Sequence, residues 1–263
     1  METVLKRPAH FAAFGGGLNS TAMIVELVRR QEPLDLVLFA DTGGEKPETY
    51  AHVWRFGQWL HRAGVKFAIV YTTNRAGQQL PLEDWCLSHG RLPSLAYGWK
   101  TCSQRWKREP QEKFIRRWKR ARRTWERGQA VVRYIGIDAG EQRRAKESPD
   151  TKYVNSYPLI RWGWDRVECH AALVEAGLLP PVKSACFFCP ATRKVEVPLL
   201  PRDLLRRAIA MEQNAAQGNH TIKGLGRHWS WEEVAASAQT GARVKGPDIE
   251  TDCGCYDGED DDD

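Results

Sequence analysis

At 263 residues the chain has room for one large domain, or one domain with a smaller appendage, and for a sizeable buried core. Its net charge of +6 hides a more basic body, because Glu259 to Asp263 are all acidic and the remainder carries +11, a balance that suits a polyanionic substrate. No run approaches the roughly 20 apolar residues of a membrane span, and Met1 to Pro8 is charged and lacks the apolar core of a secretion signal, so a cytoplasmic protein with no membrane partner is expected.

The first predicted element is the apolar run Phe11-Ala12-Ala13-Phe14, a strand that meets Gly15, Gly16 and Gly17. Asn19, Ser20 and Thr21 then open a helix whose Met23, Ile24, Leu27 and Val28 share one face. Glycines allow close backbone approach, and the free amides and positive end of the helix favour an anion, so a nucleotide phosphate is expected at residues 15–21. A lysine-bearing P-loop is ruled out, since Leu18-Asn19-Ser20 stands where Gly-Lys-Ser/Thr is required. A dinucleotide fingerprint, a PP-loop and a glycine turn that binds nothing all remain open from this stretch alone.

Leu34 to Ala40 reads as a buried parallel strand, with Phe39 near its end and Asp41-Thr42 at the carboxyl edge where open α/β sheets bind ligands. A helix follows from Pro47 to about Gly64, and further strands are expected at Val65 to Tyr71, Val131 to Ile137 and Val154 to Leu159. Strands alternating with helices of this length predict an α/β fold, a doubly wound, Rossmann-like parallel sheet of five strands with helices on both faces. The expected division is a nucleotide-binding domain at 1–178 with a basic helical insert at about 103–128, a helical cysteine-bearing region at 179–257, and an acidic disordered tail at 258–263.

Thr72 to Trp99 reads as loop, and Cys86 within it as an idle thiol. From Lys100 the chain becomes strongly basic. Residues 105–123, beginning with Arg105 and Lys107, predict a basic helix interleaved with Trp106 and Trp118, suited to a nucleic-acid backbone or to a solvated face. Arg143 and Arg144, beside Glu141, are a candidate phosphate clamp or a surface ion-pair set, and Gly136-Ile137 precede them at a strand end. Asp165 with Glu168 marks a helix start that encloses Cys169 and His170, read as filler. Lys183 leads into Cys186-x-x-Cys189-Pro190. Seven cysteines in such a compartment point to thiols, a metal or an iron–sulfur cluster rather than disulfides, with Cys102 the third ligand and Cys253, Cys255 or a non-protein group the fourth. Leu199 to Ala238 is helical in pattern, with a capping box at Ser230 and Glu233.

Four blocks, spanning roughly residues 10 to 195, together resemble the PAPS reductase branch of the PP-loop ATP pyrophosphatase superfamily. They are Gly15 to Ser20, Phe39 to Gly43 with Pro47-Glu48-Thr49, Gly136 to Arg144, and Tyr157-Pro158-Leu159 with Trp164. Gly15 and Asn19 stand where the family loop has serine and aspartate, and Thr101-Cys102 with Cys186 and Cys189 where cluster-bearing APS reductases have four cysteines. The resemblance implies an adenine nucleotide, ATP with Mg²⁺ or else APS/PAPS. Gly16, Gly17 and Ser20 would lie against its phosphates, Asp41 and Gly136 would border the adenosine, and Arg143 would steady charge in the transition state. Phe14, Thr21, Thr42 and Ile137 would complete the nucleotide site, with Lys100, Arg105, Lys107, Glu141 and Lys183 toward the second substrate. It further implies a three-cysteine 4Fe–4S cluster at Cys102, Cys186 and Cys189, with zinc as the fallback. The leading expectation is ATP-dependent adenylation and sulfur transfer to a nucleic-acid or small-molecule acceptor. The alternatives are a sulfonucleotide reductase, with Cys253 as the attacking thiol and thioredoxin as its reductant, and a non-catalytic nucleotide or nucleic-acid binding protein. A homodimer is compatible with each.

Overall fold

The computed structural model describes residues 7–218, 222–241 and 244–249, so Cys253, Cys255 and the acidic run lie outside the described residues. Five strands, β1 (His10–Phe14), β2 (Leu36–Asp41), β3 (Phe67–Tyr71), β4 (Val131–Ile135) and β5 (Tyr153–Ser156), form one sheet in the order β3-β2-β1-β4-β5. Every pairing is parallel, which is the α/β doubly wound arrangement expected. The chain moves outward from β1 to β3 and then returns past β1 to β4. That reversal opens a crevice at the carboxyl ends of β1 and β4.

β1 is central because its side chains serve both faces. Ala12 and Phe14 join the core under α1 (Leu18–Arg29) and α2 (Pro47–Arg62), while Phe11 belongs to the opposite core with Leu36, Leu38, Ile115 and Ala121. The stretch read as loop contains α3 (Leu82–Ser88) and a 3₁₀ turn at Ser94–Tyr97. The basic stretch is not one helix. A π-turn at Gln104–Arg108 leads into α4 (Glu109–Arg117), Trp118 adopts an extended backbone at φ −72 and ψ 118, and α5 (Lys119–Glu126) follows. β5 ends earlier than expected, because Pro158, which has no N–H for a ladder, instead starts α6 (Pro158–Trp162). The capping box of Asp165 and Glu168 starts α7 (Arg166–Glu175), which packs with α1.

A third core joins α8 (Arg202–Ala216) and α9 (Trp231–Thr240) to the segment after β3. Trp229, Trp231, Phe187 and Phe188 are fully buried there beside Leu82, Leu95 and Trp106. Each such aromatic stabilises the fold by roughly 2–3 kcal/mol through apolar area removed from water. The C-x-x-C segment is therefore held between the sheet and this helical layer. Among the described residues no helix is long and apolar enough to cross a membrane.

Candidate functional site

The glycine loop is shaped by close approach. Gly16 has φ +74, and a Cβ there would stand 3.1 Å from Thr49 Cγ2. At Gly136, just past β4, a Cβ would lie 2.7 Å from Ser20 Cα and 2.8 Å from Ser20 N, so only glycine lets this strand end press on the start of α1. Gly17 is the N-cap of α1 and no side chain caps the helix, which leaves its first amides and its positive end directed at the crevice. Ser20 Oγ accepts from Gly15 N at 3.3 Å and donates to Gly17 O at 3.3 Å. Thr21 is fully buried and supports the loop from beneath, its hydroxyl 2.6 Å from Gly17 O and 3.0 Å from His52 Nε2. Burial, with Arg55 nearby, lowers the His52 pKa to about 4, so its imidazole is neutral at neutral pH.

The crevice encloses about 240 Å³. Phe14, Gly15, Gly17, Asn19, Ser20, Phe39, Gly136 and Ile137 border it. Four cationic side chains, Lys107, Arg144, Arg166 and Lys183, face it with one carboxylate, Glu141, which holds Arg144 Nη1 at 2.8 Å. That excess of positive charge beside uncapped helix amides suits a phosphate chain. Arg143, the neighbour of Arg144, is exposed and does not border the crevice. Asp41 also turns elsewhere: its Oδ1 accepts from Gly43 N and from Tyr50 OH, each at 2.8 Å, in a cleft between α2 and β3. Lys100 and Arg105 lie outside the crevice too, the Arg105 guanidinium resting 4.8 Å above the Trp106 ring. Arg166 and Gln111 border the crevice although neither was singled out by sequence. Arg166 carried one usable signal, its place directly after the Asp165 cap at the head of a helix.

A second, smaller chamber of about 20 Å³ adjoins the first. Cys102, Cys186 and Cys189 all border it, with Thr42, Lys107 and Phe188, and none of the three is in a disulfide. The C-x-x-C segment reaches this place because it is stitched to the loop after β2. Lys46 N donates to Ala185 O at 3.1 Å, Phe187 N donates to Gly44 O at 2.8 Å, and Glu45 and Cys186 form an isolated antiparallel bridge. Gly44 is required at this junction, since a Cβ would meet Phe188 Cε1 at 2.5 Å. Thr42 Oγ1 lies 3.2 Å from Cys186 Sγ, and Glu45 Oε1 lies 3.5 Å from Lys107 Nζ. Burial pushes the Cys186 thiol well above its ordinary range, and the Glu45 carboxylate adds to the effect. Cys86 is buried in the same core but does not border the chamber.

Three thiols from two distant segments are the soft donors that zinc and iron–sulfur clusters take, so the residues fit such a group in kind. The space is small, about that of one water molecule. Among the described residues no three His, Cys, Asp or Glu side chains converge closely enough to hold a metal ion as they stand. A metal ion or cluster would need more room among these thiols than the chamber gives as it stands.

No family model matches the chain, and no curated protein matches it. Among solved structures it is similar to a phosphoadenylyl-sulfate (PAPS) reductase from Candida auris in its phosphate complex, at 17% identity over 68% of this chain and 78% of that one, with a TM-score of 0.46. It is also similar to the U34-tRNA thiolase NcsA from Methanococcus maripaludis with its [4Fe-4S] cluster, at 14% identity over 92% of this chain and 84% of that one, with a TM-score of 0.39. The α/β assignment rests on this chain's own strand order and parallel pairings.

Proposed function

We propose that the crevice binds an adenine nucleotide through its phosphates and that the adjoining thiols serve sulfur chemistry on the activated acceptor, an ATP-dependent adenylation and sulfur transfer of the PP-loop type. The observation that carries this reading is a shared wall: Lys107 and Cys189 each border both the crevice and the thiol chamber. A phosphate-binding loop next to an idle thiol pocket would not need that arrangement.

In this reading the amides at the start of α1 and the Ser20 hydroxyl take the β and γ phosphates. An acceptor oxygen attacks the α-phosphorus, pyrophosphate leaves, and a sulfur nucleophile then displaces AMP from the acceptor. Arg144 and Lys183 pair with phosphoryl oxygens and offset the negative charge that builds during the first displacement. Arg144, rather than Arg143, has this role because Arg144 is the one that borders the crevice. Lys107 stands at the passage between the two cavities, where it would orient the second nucleophile. Cys102, Cys186 and Cys189 would hold an iron–sulfur cluster, or zinc in its place. A cluster bound by three thiolates supplies an iron with an open position for sulfide.

The test is a product analysis. Purified anaerobically and supplied with ATP, sulfide and total small RNA, the protein is expected to release AMP and pyrophosphate in equal amounts. Cys189→Ala should retain pyrophosphate release and lose sulfur incorporation. Release of sulfite from PAPS with thioredoxin, and no product from ATP, would replace this reading with the reductase.

A further inference from the structure

We propose that the chain carries a second polyanion site, a groove at the end of the sheet opposite the crevice, that takes the phosphodiester backbone of a nucleic acid. This site depends on none of the chemistry assigned to the crevice. In a parallel sheet all strands begin at one end, and the groove is built from what precedes them: Arg7 before β1, Leu34 and Asp35 before β2, and Gly64 and Lys66 before β3. Trp118 and the first residues of α5 close it, giving a cavity of about 430 Å³.

Six cationic side chains, Arg7, Lys66, Lys119, Arg120, Arg123 and Arg127, line this groove with a single carboxylate, Asp35. Asp35 is already engaged by Arg7 at 2.7 Å and Arg120 at 2.9 Å. Lys66, Lys119 and Arg123 have no acidic partner among the described residues, and the first turn of α5 holds no acid and no side-chain cap. Like charges held around one concavity repel one another, and a bound polyanion relieves that cost.

The extent of the charge distinguishes a nucleic acid from a single small anion. α4 starts beside the crevice, which Gln111 borders, and α5 lines the far groove from Lys119 to Arg127 just past its end, with Lys113, Arg116, Arg117 and Arg122 as further cations and Glu109, Glu112 and Glu126 as the acids among them. The eight residues of α5 alone span about 12 Å at 1.5 Å per residue. At about 3.4 Å of axial rise per phosphate on one strand, that helix faces about three to four phosphates of a duplex rather than a single small anion. An anionic membrane would want aliphatic side chains at its surface, and the groove supplies only Leu34 and the Trp118 ring.

The experiment measures anisotropy of a labelled RNA stem-loop between 50 and 200 mM salt, for the wild type and for K66E/K119E/R123E. The variant is expected to bind at least ten-fold more weakly, and its log–log salt slope should flatten by about two to three. ATP affinity in the crevice, followed by calorimetry, should stay within two-fold, which separates loss of this site from loss of the nucleotide site. If the charge reversals prevent folding, K66Q/K119Q/R123Q is used, with a smaller loss of the same kind expected. Unchanged RNA affinity in a folded variant would overturn the proposal. So would displacement of RNA by tripolyphosphate at equal phosphate concentration, which marks a small-anion site, or binding to phosphatidylserine vesicles in preference to RNA.

Discussion

Asn19 Nδ2 donates a 2.8 Å hydrogen bond to Asp138 Oδ2, which ties the glycine loop to the turn after β4. The other Asp138 oxygen accepts from Glu141 N at 3.0 Å and caps the 3₁₀ turn Ala139–Arg144 that brings Glu141 and Arg144 to the crevice. Asp138 itself is buried, so this bond does more than decorate a surface. It explains why asparagine replaces the aspartate of the loop that the chain resembles: a carboxylate at 19 would face another at hydrogen-bond distance. Asn19→Asp is expected to lower stability by roughly 1–3 kcal/mol at neutral pH through like-charge repulsion and a lost bond. The double variant N19D/D138N, which reverses donor and acceptor, should recover most of that loss. Urea melts of the single and double variants decide it, and a fully stable N19D would dismiss the coupling.

The glycines of the loop divide by the room around them. A Cβ on Gly15 would meet nothing within 4 Å, and its backbone is not in the left-handed region. Gly15→Ser should therefore leave the melting temperature within about 2 °C. Gly136→Ala drives a methyl into the Ser20 backbone and should cost about 1–3 kcal/mol, with at least a ten-fold loss of nucleotide affinity. Equal behaviour of the two variants in thermal melts and binding would count against the described loop geometry.

Much of this fold was legible because the inner strands are short apolar runs with punctuating residues. Phe11 to Phe14 stops at three glycines, and Leu36 to Asp41 lies between Pro33 and Gly43. The break at Trp118 had no such mark: arginine, tryptophan and lysine there can all continue a helix, and packing of Trp118 against the core of Leu36 and Leu38 accompanies its extended backbone. Asp41 was placed correctly at its strand end, but its side chain answers to Tyr50 and Gly43, partners that only the three-dimensional structure reveals. The choice between Arg143 and Arg144 turns on which side of a 3₁₀ turn faces inward, and adjacent arginines carry no periodicity to read it from. The cysteines were legible as a set, since thiols are rare and their spacing is chemical, although not the size of the chamber they border.

His52 gives the loop an acid limit. Its pKa falls from 6.5 to about 4 in the folded protein, so on acidification the unfolded chain takes up the proton first. Stability is therefore full above pH 6.5 and declines as pH drops toward 4, by at most about 3 kcal/mol from this group. His52→Asn should flatten that part of the stability–pH profile. An unaltered slope between pH 6.5 and 4 in the variant would show that other groups set the limit.

The thiol chamber predicts co-dependent metal loading. Iron, sulfide and zinc analysis after anaerobic purification should find bound metal in the wild type, falling by at least half in each of Cys102→Ala, Cys186→Ala and Cys189→Ala. Cys86→Ala should leave the metal content unchanged, because that thiol lies outside the chamber. Metal content that stays at the wild-type level after loss of any of the three thiols would belong to another site.

The most direct measurement of the central claim is calorimetric titration of the folded protein with ATP and with PAPS, repeated on Gly17→Ala. The added methyl would stand 2.9 Å from Ser184 Oγ at the mouth of the uncapped α1 amides. The account predicts saturable binding of one of these nucleotides, weakened at least ten-fold by the substitution while the melting temperature holds. Absence of binding by either nucleotide, or equal affinity in the variant, would contradict a phosphate site at the start of α1.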